Sequence, residues 1–120
     1  MRDLPQNGTR RLVSRQLPAR LQADLLGRLA ITLRAGIHLR KAWASEVRRM
    51  PTRWQPQLSL GTRMIDQGEM LSDALAYTGL FPPLVVGMVA VGDQTGKDAE
   101  TLKELSRVIN HRVETTSHLR

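Results

Sequence analysis

The stretch FPPLVVGMVAVGDQTG, residues 81–96, joins two prolines, an apolar run and a glycine-bounded turn. Pro82 and Pro83 suit the first turn of a helix, where the backbone N–H that proline lacks has no partner within the helix. Residues 84–91 are apolar on every side, which is typical of a helix surrounded by other helices. We therefore predict a central apolar helix that ends near residues 92–96.

Four helices are predicted before this run and one after it, because apolar residues recur three or four positions apart. In the first helix, Arg28 and Arg34 take the solvent side. The predicted buried positions are Leu21, Leu25, Leu29 and Leu33; Leu39, Trp43, Val47 and Met50; Trp54, Leu58, Gly61 and Ile65; Leu71, Ala74 and Leu75; and, in the last helix from about Asp98, Leu102, Leu105, Ile109 and Val113. No segment alternates with a period of two, so the predicted fold is all-α, a compact antiparallel bundle of about six helices.

A short pattern, G-x-x-L-x-x-A, occurs at residues 36–42 and again at residues 68–74. Each copy follows one predicted helix and opens the next. Glycine tolerates the positive φ of a helix C-cap, so we expect Gly36 and Gly68 to adopt left-handed conformations. The following Leu and Ala then return to the core.

Composition limits the classes of protein that this chain can belong to. With 120 residues and 41% apolar residues, the chain has the size and core content of one domain. The absence of cysteine excludes disulfides, cysteine-ligated zinc and thiol catalysis. Residues 1–20, which are rich in arginine and contain Pro5, Gly8 and Pro18, are expected to form a flexible basic lead-in.

The net charge of +7 is concentrated in the first half of the chain. The predicted second helix and its exit carry Arg40, Lys41, Arg48, Arg49 and Arg53. Such a set can be a solvated face, or it can bind an acidic protein, anionic lipid or nucleic acid. The first four are predicted to bind a partner. Neither a helix-turn-helix with polar recognition residues nor stacking aromatics is evident, so nucleic acid is the least favoured partner.

No catalytic or metal site is evident in the sequence. The three histidines are scattered, and the Gly96-Lys97 pair lacks the hydroxyl residue and the preceding strand of a phosphate-binding loop. Two groups of acids lie near the glycine turns and are interpreted as helix caps, with divalent-cation binding as the alternative: Asp66, Glu69 and Asp73, and Asp93, Asp98 and Glu100. We expect no catalytic residue, no cofactor and no metal.

Three of these stretches, in the same order, resemble the type II secretion system F domain. They are LRAGIHLRKA at 33–42, similar to L-x-A-G-x-P-L-x-x-A; GEMLSDAL at 68–75, similar to G-x-x-L-S-x-A-L; and residues 81–96, similar to F-P-x, an apolar helix and G-E-x-S/T-G. The departures are His38, Asp93 and Asp98. The matching positions, interpreted as fold and turn residues, are Gly36, Leu39, Ala42, Gly68, Leu71, Ser72, Ala74, Leu75, Phe81, Pro82, Gly92, Asp93 and Gly96.

The resemblance implies a helical domain over residues 21–116 and a tail, residues 117–120, that leads toward a transmembrane helix in a longer protein. It implies the cytoplasmic domain of a bacterial inner-membrane platform protein of a type II secretion or type IV pilus system. Such a domain is a non-enzymatic scaffold that links a cytoplasmic ATPase to assembly of pseudopilins or pilins. The implied partners are that ATPase, inner-membrane assembly proteins and pilin-like subunits, and dimerisation stays open.

The alternative interpretation is a small basic helical module that binds an anionic membrane surface or nucleic acid. It rests on charge alone, and salt-sensitive binding to DNA would favour it. An enzyme is the least favoured class, because no acid, base and nucleophile come together in the sequence.

Overall fold

Six α-helices make up most of residues 16–118, the part of the chain that the computed structural model describes. They are α1 (Ala19–Arg34), α2 (Leu39–Arg49), α3 (Gln55–Asp66), α4 (Leu71–Thr78), α5 (Pro83–Thr95) and α6 (Asp98–His118), with a 3₁₀ turn (Thr52–Trp54) before α3. No strand occurs among these residues. The predicted all-α bundle is confirmed.

The helices pack in a closed ring. Each contacts the next along the chain, and α6 returns to α1 in the most extensive interface of the domain. Ser106 donates a hydrogen bond to the carbonyl of Ala23 at 2.7 Å, whereas Val113, two turns later, lines a groove with Leu17. Later residues of α6 therefore lie beside earlier residues of the chain, so α1 and α6 run antiparallel.

The core is built mainly from aliphatic side chains, with the rings of Trp43 and Phe81 among them, as the low aromatic content predicts. Leu25, Leu26 and Leu29 of α1 are fully buried, and Trp43 of α2 is 1% exposed. The other helices contribute further buried side chains, among them Leu58, Leu71, Leu75, Val89 and Leu102. Burying one such side chain stabilises the fold by about 1.5–3 kcal/mol, so the predicted periodicity identifies most of the residues that hold the bundle together.

The prediction that residues 84–91 form a central helix is wrong. Helix α5 lies on the surface and buries only Val85, Val89 and Gly92. Leu84 is 70% exposed and Val91 is 61% exposed. A helix that is apolar on every side can be buried on every side, but its sequence does not require this. Its two neighbours, α4 and α6, cover only the face that carries Val85, Val89 and Gly92.

The two glycines of the repeated pattern adopt the conformation that the sequence predicts. Gly36 has a φ of 91° and Gly68 a φ of 87°. A side chain at either position would be strained, because positive φ brings Cβ too close to the backbone. Gly61 differs, since it is helical and lies against the Trp43 ring, where an added Cβ would be 2.7 Å from the nearest ring carbon.

The folded domain begins before the predicted boundary at residue 21. Leu17 is 2% exposed, and its backbone N–H donates to the carbonyl of Leu80 at 3.0 Å. Helix α1 begins at Ala19. Residues 1–15 of the predicted lead-in lie outside the described residues. At the other end α6 continues through His118, beyond the predicted boundary at residue 116, and residues 119–120 also lie outside.

Candidate docking face on the second helix

Helix α2 is fixed by a cap at its start and a proline after its end. The imidazole Nδ1 of His38 accepts a hydrogen bond from the backbone N–H of Arg40 at 3.2 Å, which satisfies one of the free donors of the first turn. His38 thus caps the helix at the position where the F domains usually have proline. At the other end, Met50 is extended and Pro51 follows it, as expected of a residue that precedes proline.

A carboxylate is buried on the inner side of α2. Glu46 is 3% exposed, although it is charged. Its Oε1 accepts from Arg28 Nε of α1 at 2.8 Å, and its Oε2 is 3.8 Å from Arg49 Nε. A buried carboxylate needs such partners, because loss of hydration costs several kcal/mol per ion. Glu46 therefore joins α1 and α2, and Arg28, assigned to the solvent side from sequence, belongs to this link.

Arg40 also has an acidic partner, but this interaction is weaker. Its Nε is 3.1 Å from Asp66 Oδ1 at the end of α3, and both side chains are more than half exposed. Exposed pairs of this kind contribute between about 0 and 1 kcal/mol, because solvent screens them. The pair orients Arg40 across the junction of α2 and α3.

Lys41 and Arg48 differ from the other two predicted binding residues. Both are exposed, and neither has an acidic partner among the described residues. They are seven positions apart, so they lie on one side of α2, separated by about 10 Å along the axis. We call these two side chains the free cation pair. It is the part of the predicted binding set whose charges are not used inside the domain.

Residues of the second and third motifs meet elsewhere, between α4 and α5. The backbone N–H of Ser72, in the first turn of α4, donates to Oδ2 of Asp93 on α5 at 2.9 Å. Leu71, Ala74 and Leu75 beside it are buried. The second and third motifs are therefore joined by one hydrogen bond, and the shorter aspartate reaches the backbone without the length of a glutamate.

Asp98, at the start of α6, extends this contact. The pKa of its carboxyl is raised from 3.8 to about 6, chiefly by burial and then by the hydrogen bond and the negative charge of Asp93. The backbone N–H of Asp98 acts in the opposite direction. Two carboxyl groups thus lie together where α4, α5 and α6 meet, and one of them retains its proton more readily than a free aspartate.

Among the remaining acids near the glycine turns, Asp73 is a helix cap. Asp73 accepts from the backbone N–H of Met70 at the start of α4 at 3.3 Å. Within residues 16–118, no group of three or more acidic or histidine side chains is arranged to hold a metal ion. The cap interpretation therefore accounts for Asp73 and Asp93, whose hydrogen bonds are seen directly.

Most of the chain is similar to one family of known proteins. Residues 25–120 match the family described as type II secretion system protein F. The chain belongs to this family. All three motifs lie within the matched range. The hydrogen bond from Ser72 to Asp93 joins the second motif to the third.

A curated relative gives a sense of scale. The chain is 34% identical over 87 residues to the protein transport protein HofC homolog of Escherichia coli strain K12. That alignment covers 71% of this chain and 22% of the relative, so this member of the family spans about a fifth of the relative's length. None of the described helices combines the length and hydropathy needed to cross a membrane.

Proposed function

We propose that this member of the type II secretion protein F family is the cytoplasmic domain of an inner-membrane platform protein in a secretion or pilus system. In this role it holds the cytoplasmic ATPase and the pilin-like subunits in position during assembly, without catalysing a reaction. Support comes from the family match over residues 25–120 and from the transport function named for the relative. The free cation pair is the surface that we assign to docking.

One structural observation selects this surface. Of the four cations predicted to bind a partner, Arg40 and Arg49 contact acids of the domain, whereas Lys41 and Arg48 do not, within the described residues. Two fixed positive charges on one helix face attract an acidic partner over roughly a Debye length, about 8 Å at physiological salt. Charges of this kind raise the association rate and help to select the partner.

The test replaces only the free cation pair. Lys41→Glu combined with Arg48→Glu should change the free energy of unfolding by about 0.5 kcal/mol or less, because both side chains are exposed. The same variant should abolish secretion or pilus assembly in cells and weaken binding to the purified cytoplasmic ATPase. Binding of the unaltered protein should fall as salt is raised. Arg40 and Arg49 are left intact, since reversing Arg49 would place a second carboxylate beside buried Glu46.

A matched control changes the same charge at another place. Arg20 and Arg63 are exposed and have no acidic partner among the described residues, so Arg20→Glu with Arg63→Glu gives an equal change in net charge. This control should secrete normally. Normal secretion by the Lys41 and Arg48 variant would contradict the proposal. Salt-sensitive binding to DNA or anionic vesicles, with no binding to the ATPase, would favour the small basic module instead.

A further inference from the structure

An exposed apolar surface lies where the first half of α5 passes beside the second half of α6. Leu84 and Met88 of α5 and Val108 of α6 are large apolar side chains that are exposed. All three line one groove, which has a volume of about 680 Å³. Glu104 and Arg112 of α6 line the same groove, and we call these five residues the α5–α6 surface.

The register of the two helices brings these residues together. Only two residues join α5 to α6, so the two helices return side by side. Near this connection their backbones are close, because an added Cβ at Gly92 would lie 2.8 Å from Oγ1 of Thr101. The start of α5 therefore lies beside residues of α6 that are further from the connection. Leu84 thus borders the part of α6 that contains Val108.

The charges of the α5–α6 surface are placed symmetrically about Val108. Glu104 lies four positions before Val108 and Arg112 four positions after it, and both side chains are exposed. Residues four apart are neighbours on one helix face, with a rise of about 6 Å along the axis. The face therefore presents a negative charge, an apolar side chain and a positive charge at equal intervals.

Glu104 already has one partner within α6. Its carboxylate accepts from Arg107 at 2.6 Å and 3.2 Å, and both side chains are more than half exposed. An exposed pair of this kind contributes between about 0 and 1 kcal/mol, because solvent screens it. Each carboxylate oxygen can accept more than one hydrogen bond, so Glu104 can also contact a second guanidinium.

We propose that the α5–α6 surface binds the same surface of a second copy of this chain, related by a two-fold axis that passes beside Val108. In this antiparallel arrangement, Glu104 of each copy lies opposite Arg112 of the partner copy. A two-fold interface requires a surface that is complementary to itself, and the symmetric order of charges meets that requirement. Exposed Leu84 and Met88 are removed from water at the same time, which favours association.

The charge of the surrounding part of the chain also favours a second copy. Residues 56–120 carry six Lys and Arg against eight Asp and Glu, whereas the positive excess lies in residues 1–55. Two copies that meet through α5 and α6 therefore join regions with nearly balanced charge. An anionic membrane surface would instead favour a basic rim, and Glu104 opposes it. The α5–α6 surface is separate from the free cation pair on α2.

The first test follows the mass of the chain of residues 1–120 by sedimentation velocity over a range of protein concentrations. We expect a dimer that dissociates on dilution. Glu104→Arg places arginines opposite each other across the axis, and Arg112→Glu places glutamates there. Each single variant should therefore dimerise at least about tenfold more weakly, because like charges that face each other repel.

The decisive test mixes the two single variants. In an equimolar mixture, Arg at position 104 of one copy faces Glu at position 112 of the other, and the second pair of charges also becomes opposite. The mixture should therefore form a heterodimer although each variant alone does not. The double variant, Glu104→Arg with Arg112→Glu, should form a homodimer again for the same reason.

Matched controls change the same charges on another side of α6. Glu114 and Lys103 are exposed and do not line this groove, so Glu114→Arg and Lys103→Glu should leave dimerisation unchanged. Lys41→Glu with Arg48→Glu should also leave it unchanged, which separates this proposal from docking on α2. Circular dichroism of dilute protein, in which the copies are apart, checks that each variant remains folded.

Three results would overturn the proposal. The first is an unaltered protein that stays monomeric at every concentration. In that case, dimerisation of a chain of residues 16–120 would assign the surface to residues 1–15, and binding to phosphatidylglycerol vesicles that Glu104→Arg strengthens would assign it to a membrane. The second is a single variant that dimerises as tightly as the unaltered protein. The third is a mixture that stays monomeric while the unaltered protein dimerises, which would exclude the antiparallel pairing.

Discussion

At the residue scale, Gly61 shows how neighbouring side chains restrict substitution of a glycine within a helix. An added Cβ would lie 2.7 Å from the Trp43 ring and 3.1 Å from the Thr78 methyl group. Trp43 cannot move freely, because its Nε1 donates to Thr62 at 3.1 Å and its side chain is buried. We predict that Gly61→Ala lowers the free energy of unfolding by about 1–3 kcal/mol, the usual cost of overpacking a core, as measured by urea denaturation.

Gly87 provides the matched control for this substitution. It lies within α5 and is exposed, and an added Cβ would meet nothing within 4 Å. Gly87→Ala should therefore stabilise the protein by about 0.5–1 kcal/mol, because alanine loses less backbone freedom on folding. If the two substitutions had equal effects, the contact between α2 and α3 would not limit the residue at 61.

At the element scale, the carboxyl groups of Asp93 and Asp98 connect the ends of three helices. The pKa of Asp98 is about 6 in the folded protein and 3.8 in its ordinary state. Between these values the folded protein retains a proton that the unfolded chain has lost. The contribution of Asp98 to the free energy of unfolding should consequently fall as pH rises from about 4 to about 6, and then remain at the lower level.

Replacing Asp98 by asparagine should remove that pH dependence. The neutral amide keeps the shape of the protonated acid, so Asp98→Asn should be more stable than the unaltered protein at pH 7 and similar to it at pH 4. We expect a gain of about 1 kcal/mol or less, because Asp98 is partly exposed and solvent screens its interaction. Glu114→Gln, on an exposed part of α6, is the control. Urea denaturation across this pH range would contradict the prediction if both variants followed the unaltered protein.

At the scale of the whole molecule, the described fold begins at the residues before α1. Leu17 is buried against the core, and its N–H donates to Leu80 in the connection between α4 and α5. We predict that Leu17→Ala costs about 2–5 kcal/mol, as is usual for buried leucine. Leu84→Ala, at a position 70% exposed, should change stability by about 0.5 kcal/mol or less. Thermal unfolding followed by circular dichroism measures both.

Shortened chains test the same boundary independently. A chain of residues 16–120 retains Leu17 and its hydrogen bond, whereas a chain of residues 21–120 loses both and also the first two residues of α1. The first should unfold at a clearly higher temperature than the second. If the two chains unfolded at equal temperatures and Leu17→Ala did not change stability, the domain would begin at residue 21, as predicted from sequence.

The sequence by itself determined the helices, their order and their turns. Apolar residues at helical spacing reflect local geometry, and the positive φ of Gly36 and Gly68 is a property of single positions, so both could be predicted from nearby residues. The family followed from three motifs in order. The basic residues of α2 were identified as candidates for the same reason, because charge is visible in the sequence.

Only the tertiary structure decided which side chains face one another. It showed that Glu46 is buried between Arg28 and Arg49 and that Arg40 pairs with Asp66, which leaves Lys41 and Arg48 without an acidic partner within the predicted binding set, among the described residues. The sequence places Glu46 on the same side of its helix as Trp43, which indicates that the carboxylate is buried. Its partner, Arg28, is 18 positions away along the chain and could not be identified from nearby residues. The exposure of α5 was likewise hidden, because burial depends on which sides of a helix its neighbours cover, and the sequence of that helix does not specify this.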